Sequence, residues 1–230
     1  MHFRGHATIW GNVGSTHYTP QFIQDETDPV KIEAFMKNYI QTTVARYKGQ
    51  GLSWDVVNEA MDASSGTGVI RDSVYNKVDD YICKAFTWAR EADPTALLFY
   101  NDFNHATVEG YWQKKADAVY EYLTALRNRG CPIDGVGFQL HENIDFDTRI
   151  ANVKVNMQRY KDAGMIVHFT EVDIKCRKDS SGNCVEWTAD LLQQQAKTYG
   201  DLLTACLEMS NCESFEMWGF TDKYTWHEAP

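Results

Sequence analysis

A chain of 230 residues, 43% of them hydrophobic, is long enough to bury a sizeable core, as one domain of moderate size or as a barrel somewhat short of the usual length. Its formal net charge of −10 argues against a nucleic-acid or anionic-membrane partner, because neutralising phosphates takes clustered Lys and Arg. No apolar run approaches the length of a membrane span, and the opening Met1-His2-Phe3-Arg4 does not read as a signal peptide.

Strand and helix patterns alternate along the chain with little else. Phe3 to Trp10 reads as a strand. Pro29 to Tyr47 reads as a helix with Asp28 as N-cap and Pro29 at its first position. Leu52 to Asn58 is a strand, and Val74, Val78, Tyr81, Ile82, Ala85, Phe86 and Ala89 follow at helical spacing. Ala96 to Asn101 is a strand. Val119, Tyr122, Leu123 and Leu126 mark a helix that stops at Gly130. Ile133 to Gln139 is a strand, Ile150 to Ala163 a helix ended by Gly164, and Met165 to Val172 a strand. Leu191, Leu192, Tyr199, Leu202 and Leu203 mark the next helix, and Ser214 to Trp218 the last strand. Six strands with helices between them predict an α/β fold with a parallel sheet covered by helices, either open and doubly wound or closed as a barrel. No Gly-rich phosphate loop follows the first strand, which weakens a dinucleotide-binding reading. The small polar segment from Ala63 to Gly68 reads as a plain βα loop.

Six Cys point to an oxidising compartment. Cys176 and Cys184 bracket a polar loop, and Cys206 and Cys212 bracket a helix end and its turn; both pairs could close small loops. Cys83 falls on the apolar face of a helix and reads as a buried free thiol. Cys131 stays open. Seven Trp and twelve Tyr exceed what packing needs and fit stacking against sugars.

The polar residues gather after strands rather than before them. Asn58 and Glu59 end one strand, Asn101 and Asp102 the next, Gln139 and His141 the next, Glu171 and Asp173 the next, and Trp218 the last. In a parallel barrel those ends share the face where active sites sit. A single polar residue at a strand end ordinarily caps a helix or binds loop backbone, but five consecutive strands, two of them delivering a Glu, go beyond that. Two carboxylates on opposite walls could cleave a glycosidic bond, one as proton donor and one as nucleophile. There is no His-x-x-x-His or Cys-x-x-Cys pair, so neither a metal nor a cofactor is expected.

These residues resemble glycoside hydrolase family 10. Trp54-Asp-Val-Val-Asn-Glu-Ala60 resembles the acid/base segment of its xylanases, and Phe169-Thr-Glu-Val-Asp-Ile174 their nucleophile segment. Arg4-Gly-His-Ala-Thr-Ile-Trp10, Tyr100-Asn-Asp-Phe-Asn104 and Ile133-Asp-Gly-Val-Gly-Phe-Gln139 are similar to the third, fifth and sixth strands. Trp218-Gly-Phe-Thr-Asp-Lys-Tyr-Thr-Trp226 is similar to the eighth strand and its aromatic loop. The matches run in order over nearly the whole chain. The resemblance implies one catalytic domain over residues 1–230, an incomplete (β/α)8 barrel of about six βα units that starts at the third strand. It implies retaining hydrolysis of β-1,4-xylan or xylo-oligosaccharides, with Glu59 as acid/base and Glu171 as nucleophile, their carboxyl oxygens roughly 5–5.5 Å apart.

By the same resemblance Asn58 binds the 2-hydroxyl of the reacting sugar, His141 holds Glu171 ionised and oriented, and Asp173 supports His141. Gln139 sits beside the acid/base, Tyr100 and Asn101 line the leaving-group side, Trp218 forms a wall and Trp226 a partial lid. The Cys206–Cys212 pairing matches a family spacing, and secretion is the family habit. Arg4, His6, Trp54, Asp55 and His168 read as structural. Two departures stand out. The first two βα units and the last helix of the family are missing, which leaves barrel edges open to association. The third strand normally ends Trp-His, whereas Gly11 follows Trp10 here and His17 is the nearest replacement. An inactive xylan-binding remnant and another β-1,4-glycanase, such as a cellulase, are the competing expectations.

Overall fold

A computed structural model describes residues 3–11, 18–62, 69–181 and 183–227; His17 and the loop at 63–68 lie outside them. The chain forms two compact units, Met1–Asp102 with Asp117–Gly137, and Phe103–Ala116 with Phe138–Pro230.

The first unit begins with β1 (Phe3–Gly5) and β2 (Ile9–Trp10). The single strand expected over Phe3–Trp10 is broken at its middle, where the Thr8 amide and hydroxyl both turn to the backbone of the next strand, donating to the Asp55 and Val56 carbonyls at 3.0 and 2.6 Å. A short helix α1 (Gln21–Gln24), not read from the sequence, precedes α2 (Pro29–Arg46). There the Asp28 carboxylate accepts from Val30 N at 2.9 Å, and Ile32, Met36, Ile40 and Val44 are buried. That four-residue spacing is one helix face.

β3 (Gly51–Asn58) is buried from Ser53 to its end, as a parallel strand covered on both faces should be. β1 and β2 both pair with it in parallel, and so does β4 (Leu97–Asp102). Between them the helix expected from Val74 onward is interrupted. Val74–Lys77 is a 3-10 turn in which the Ser73 hydroxyl donates to Asn76 Oδ1, Asp80 takes a left-handed φ of 52°, and α3 starts only at Tyr81 (Tyr81–Ala92). Local side-chain hydrogen bonding competes with the helix there. α4 (Gln113–Asn128) follows, in this unit from Asp117 onward, then β5 (Gly135–Phe138), whose last residue belongs to the second unit.

The cysteine reading needs correction. Cys83, in the first turn of α3, is no free thiol but is bonded to Cys131, 48 residues on. Within β3, Asp55 is 1% exposed; it is ion-paired to Arg4 and meets His6 Nδ1 at 2.9 Å. The structural reading of Arg4, His6 and Asp55 therefore has a physical content: a buried carboxylate is stable only when paired.

The second unit carries β6 (His141–Asn143), α5 (Ile150–Asp162), β7 (Ile166–Lys175), α6 (Ala189–Glu208) and β8 (Cys212–Met217). β7 is parallel to β6 and to β8 and runs three residues past the expected end at Val172. β6 was not read as a strand. Leu140, with φ 59°, separates it from the strand before, so the local pattern is too short to show. Thr188 caps α6 through its hydroxyl, which accepts from Leu191 N at 3.3 Å. On α6 Leu202 is fully buried, whereas Leu192, Leu203 and Leu207 stay exposed. Disulfides join Cys176 to Cys184 and Cys206 to Cys212. Among the described residues no helix is long and apolar enough to cross a membrane.

Candidate active site

In the first unit the site begins where β3 ends. Asn58 is 1% exposed, and its carbonyl Oδ1 accepts from Asn101 Nδ2 at 2.9 Å, which ties the tips of β3 and β4 together. Glu59 follows in a left-handed conformation, φ 53°, with its amide donating to the Asn101 carbonyl at 2.8 Å. The turn lifts the side chain off the strand. Trp10, at the end of β2, donates its indole N–H to Glu59 Oε2 at 3.2 Å, and Arg71 Nη1 lies 3.8 Å from the same oxygen. Trp10 is itself fixed, since its ring stacks on Tyr18 at 3.7 Å and its carbonyl accepts from Thr19.

Tyr100 and Asn101, expected to line the leaving-group side, are both buried. Tyr100 is 1% exposed; its hydroxyl accepts from Met61 N at 2.9 Å and donates to Asp102 Oδ2 at 2.5 Å. Burial, and then the Asp102 charge, push its phenol far above the usual range. Asn101 is 0% exposed and holds Asn58. Both support the turn that carries Glu59.

In the second unit Glu171 and Asp173 sit two residues apart on β7 and so share one face of the strand. Glu171 is 5% exposed, and its amide donates to the Gln139 carbonyl at 3.1 Å; Gln139 itself is 2% exposed. His141 pairs in register with Asp173. Its ring bridges the two carboxylates, with Nε2 3.0 Å from Glu171 Oε2 and Nδ1 3.0 Å from Asp173 Oδ2. Both nitrogens act as donors when the ring is a cation. Burial pulls the His141 pKa down, but its hydrogen bonds to Asp173 and Glu171, together with their charges, outweigh it and push the value up to about 9. For Asp173, burial works upward, yet His141, His227 and Trp226 hold it below the usual carboxylate range. Trp226 donates its indole N–H to Asp173 Oδ2 at 2.8 Å, and its ring lies 5.0 Å from His141, edge to face. Trp218 lies 6.3 Å from His141 in the same manner. Both indoles stay largely open to solvent, 40% and 60% exposed for Trp218 and Trp226.

Three contacts were missed from sequence. Trp10 closes the segment similar to the third strand, but nothing in that segment points to Glu59, and Arg71 belongs to a segment that carries no motif. His227, next to Trp226, could have been suspected only as a titratable neighbour of the lid. Among the described residues no group of His, Cys, Asp and Glu is arranged to hold a metal.

A parallel α/β fold with a buried, histidine-bridged Glu at one strand end and an indole-bonded Glu at another has the residue types that a carbohydrate-active hydrolase uses. The comparisons agree. The model of glycosyl hydrolase family 10 matches residues 1–230, and the chain belongs to that family. It is 34% identical over 229 residues to endo-1,4-beta-xylanase B of Thermotoga neapolitana, covering 98% of this chain and 61% of the relative. It is 34% identical over 234 residues to an endo-1,4-beta-xylanase of Geobacillus stearothermophilus, with 97% and 67% covered. Among solved structures, native xylanase 10B from Thermotoga maritima superposes with a TM-score of 0.85 at 31% identity, covering 98% of this chain and 65% of that one. Xylanase 10B from Thermotoga petrophila, solved with xylobiose, gives 0.85 at 31%, with 98% and 64% covered. The fold is thus an incomplete (β/α)8 barrel, and the chain spans about two thirds of the length of these relatives or somewhat less.

Proposed function

We propose that this chain is the C-terminal part, from the third strand onward, of the catalytic domain of a retaining endo-β-1,4-xylanase. The observation that carries this reading is the paired support of Glu171, an almost buried carboxylate held by a histidine that a second carboxylate fixes. Glu171 attacks the anomeric carbon of an internal xylose as the glycosidic C–O bond breaks, and Glu59 gives its proton to the leaving oxygen. Water then attacks the same carbon, Glu59 takes the proton of that water, and the ester to Glu171 is released. His141, as a cation between Glu171 and Asp173, offsets two adjacent negative charges and fixes the attacking oxygen. Trp10 orients Glu59 through its 3.2 Å contact. Asn58 binds the 2-hydroxyl of the reacting sugar, Gln139 contacts the same sugar, and Trp218 and Trp226 stack on the xylan chain. Tyr100 and Asn101 hold the Glu59 turn. Three disulfides support a secreted protein, and the exposed Met217 and Phe220 support association through uncovered apolar surface.

The test is release of reducing sugar from xylan, with cellulose alongside and Glu171→Gln as control. The reading predicts hydrolysis of xylan in preference to cellulose, a β-anomer as first product by proton NMR, and a loss on the order of 10³-fold or more in the variant. A first product of α-configuration would rule out the double displacement. A folded chain that binds xylan without cleaving it would make this a binding remnant.

A further inference from the structure

The chain of contacts that begins at Glu171 does not stop at Asp173. That carboxylate is 8% exposed and is gripped at both oxygens. Oδ2 accepts from His141 Nδ1 at 3.0 Å and from Trp226 Nε1 at 2.8 Å. Oδ1 faces Nε2 of His227 at 2.9 Å, close enough to restrain that oxygen. The His227 side chain is itself only 17% exposed, and its ring packs on that of Trp226 at 4.3 Å. Two successive residues of the C-terminal segment thus close on the two oxygens of one carboxylate, opposite the histidine that carries the nucleophile.

We propose that His227 is a positioning residue for the reaction, acting through Asp173 and His141 on Glu171. The inference rests on the reading of Glu171 as nucleophile and extends it to a residue outside the strands. The physical argument concerns rotation. The terminal torsion of an Asp side chain is soft, and two donors converging on Oδ2 leave Oδ1 able to swing. A partner on Oδ1 removes that freedom, so the plane of the carboxylate, and with it the line from Oδ2 to His141, is fixed. Around Asp173 the other titratable groups are His141 from β6, Glu171 on its own strand and Glu142, the β6 residue beside His141; Glu142 is held up near 7, chiefly by burial. Among the described residues, the C-terminal segment adds His227 to this set, besides the indole of Trp226.

The experiment reads the relay with and without turnover. In protein labelled on its histidine nitrogens, with His141 assigned by His141→Gln, the ring of His141 is titrated in the parent, His227→Ala and His227→Gln. The expected result is a fall of about half a pH unit or more for His141 in His227→Ala, with recovery in His227→Gln, whose amide can donate from nearly the same place. In parallel, kcat on a xylo-oligosaccharide falls about 3- to 10-fold in His227→Ala with KM unchanged, and the alkaline limb of the rate profile moves to lower pH. An unmoved His141 titration in His227→Ala overturns the proposal, as does a rate loss that His227→Gln fails to rescue. Lowered stability with an unmoved limb would mean a merely structural role, and also overturns it. Glu171→Gln separates the two readings: hydrolysis surviving that change removes the nucleophile, whereas an inactive Glu171→Gln beside a normal His227→Ala removes only His227.

Discussion

Replacing Cys83 and Cys131 together by Ala should destabilise the chain more than opening either of the other disulfides. Cross-linking removes loop-closure entropy from the unfolded chain as the logarithm of the enclosed length. For a separation of 48 residues that relation gives about 4 kcal/mol at 25 °C. For separations of 8 and 6 residues it gives about 2.5 and about 2.2 kcal/mol. The difference of about 1.5 kcal/mol is roughly tenfold in the folding equilibrium, well above the error of a midpoint comparison. The bridge also joins α3 to the segment after α4, two elements with no other covalent tie nearby, whereas the short loops are already closed by their own turns. Alanine is preferred to serine because Cys131 is 4% exposed, and a buried hydroxyl would add a cost of its own. Urea unfolding of the three Cys→Ala pairs, followed by far-ultraviolet circular dichroism, measures the order directly. Equal losses, or a larger loss for Cys176–Cys184, would refute the loop-length reasoning.

Other perturbations follow from buried charge. Asp173→Asn takes away the first of the partners that hold His141 up. Because the folded pKa of His141 lies above its unfolded value, its stabilisation is complete below pH 6.5 and is lost as pH rises through about 9; in the variant that loss should begin at lower pH in a urea series from pH 6 to 10. Glu142 has the opposite sign, since its folded pKa is raised to about 7 and ionisation penalises the fold as pH rises above the unfolded value. Glu142→Gln should therefore gain roughly 1–3 kcal/mol at pH 8 and nothing at pH 4, checked by the same unfolding curves. Arg4→Ala leaves Asp55 buried with only His6 beside it, and should cost about 3 kcal/mol in chemical denaturation.

Where a residue's environment is local, the sequence was enough to place it. The Ile32, Met36, Ile40 and Val44 face of α2, its Asp28 cap, and the alternation that sets Glu171 and Asp173 on one side of β7 all come from periods of 3.6 and 2. What failed depended on partners far along the chain. Nothing near Cys83 announces Cys131, and an apolar helix face looks the same above a free thiol and a bridged one. Thr8 breaks its strand by bonding to β3, a contact 48 residues away. The resemblance alone suggested Tyr100 as lining the leaving-group side, and the bonds that fix its hydroxyl, from Met61 N–H and to Asp102, join residues that no local pattern brings together. His227 reaches Asp173 across 54 residues of chain, and no periodicity spans that distance.

Glu59 occupies a left-handed backbone conformation, which non-glycine residues adopt at a cost of about 1 kcal/mol. The strain falls on the residue proposed to handle the proton, so a glycine there would relax the backbone while abolishing the chemistry. Selection for a more robust fold and selection for turnover thus pull codon 59 in opposite directions. On the proposed reading, a lineage that stopped using its substrate would find inactivation at this position downhill in folding energy.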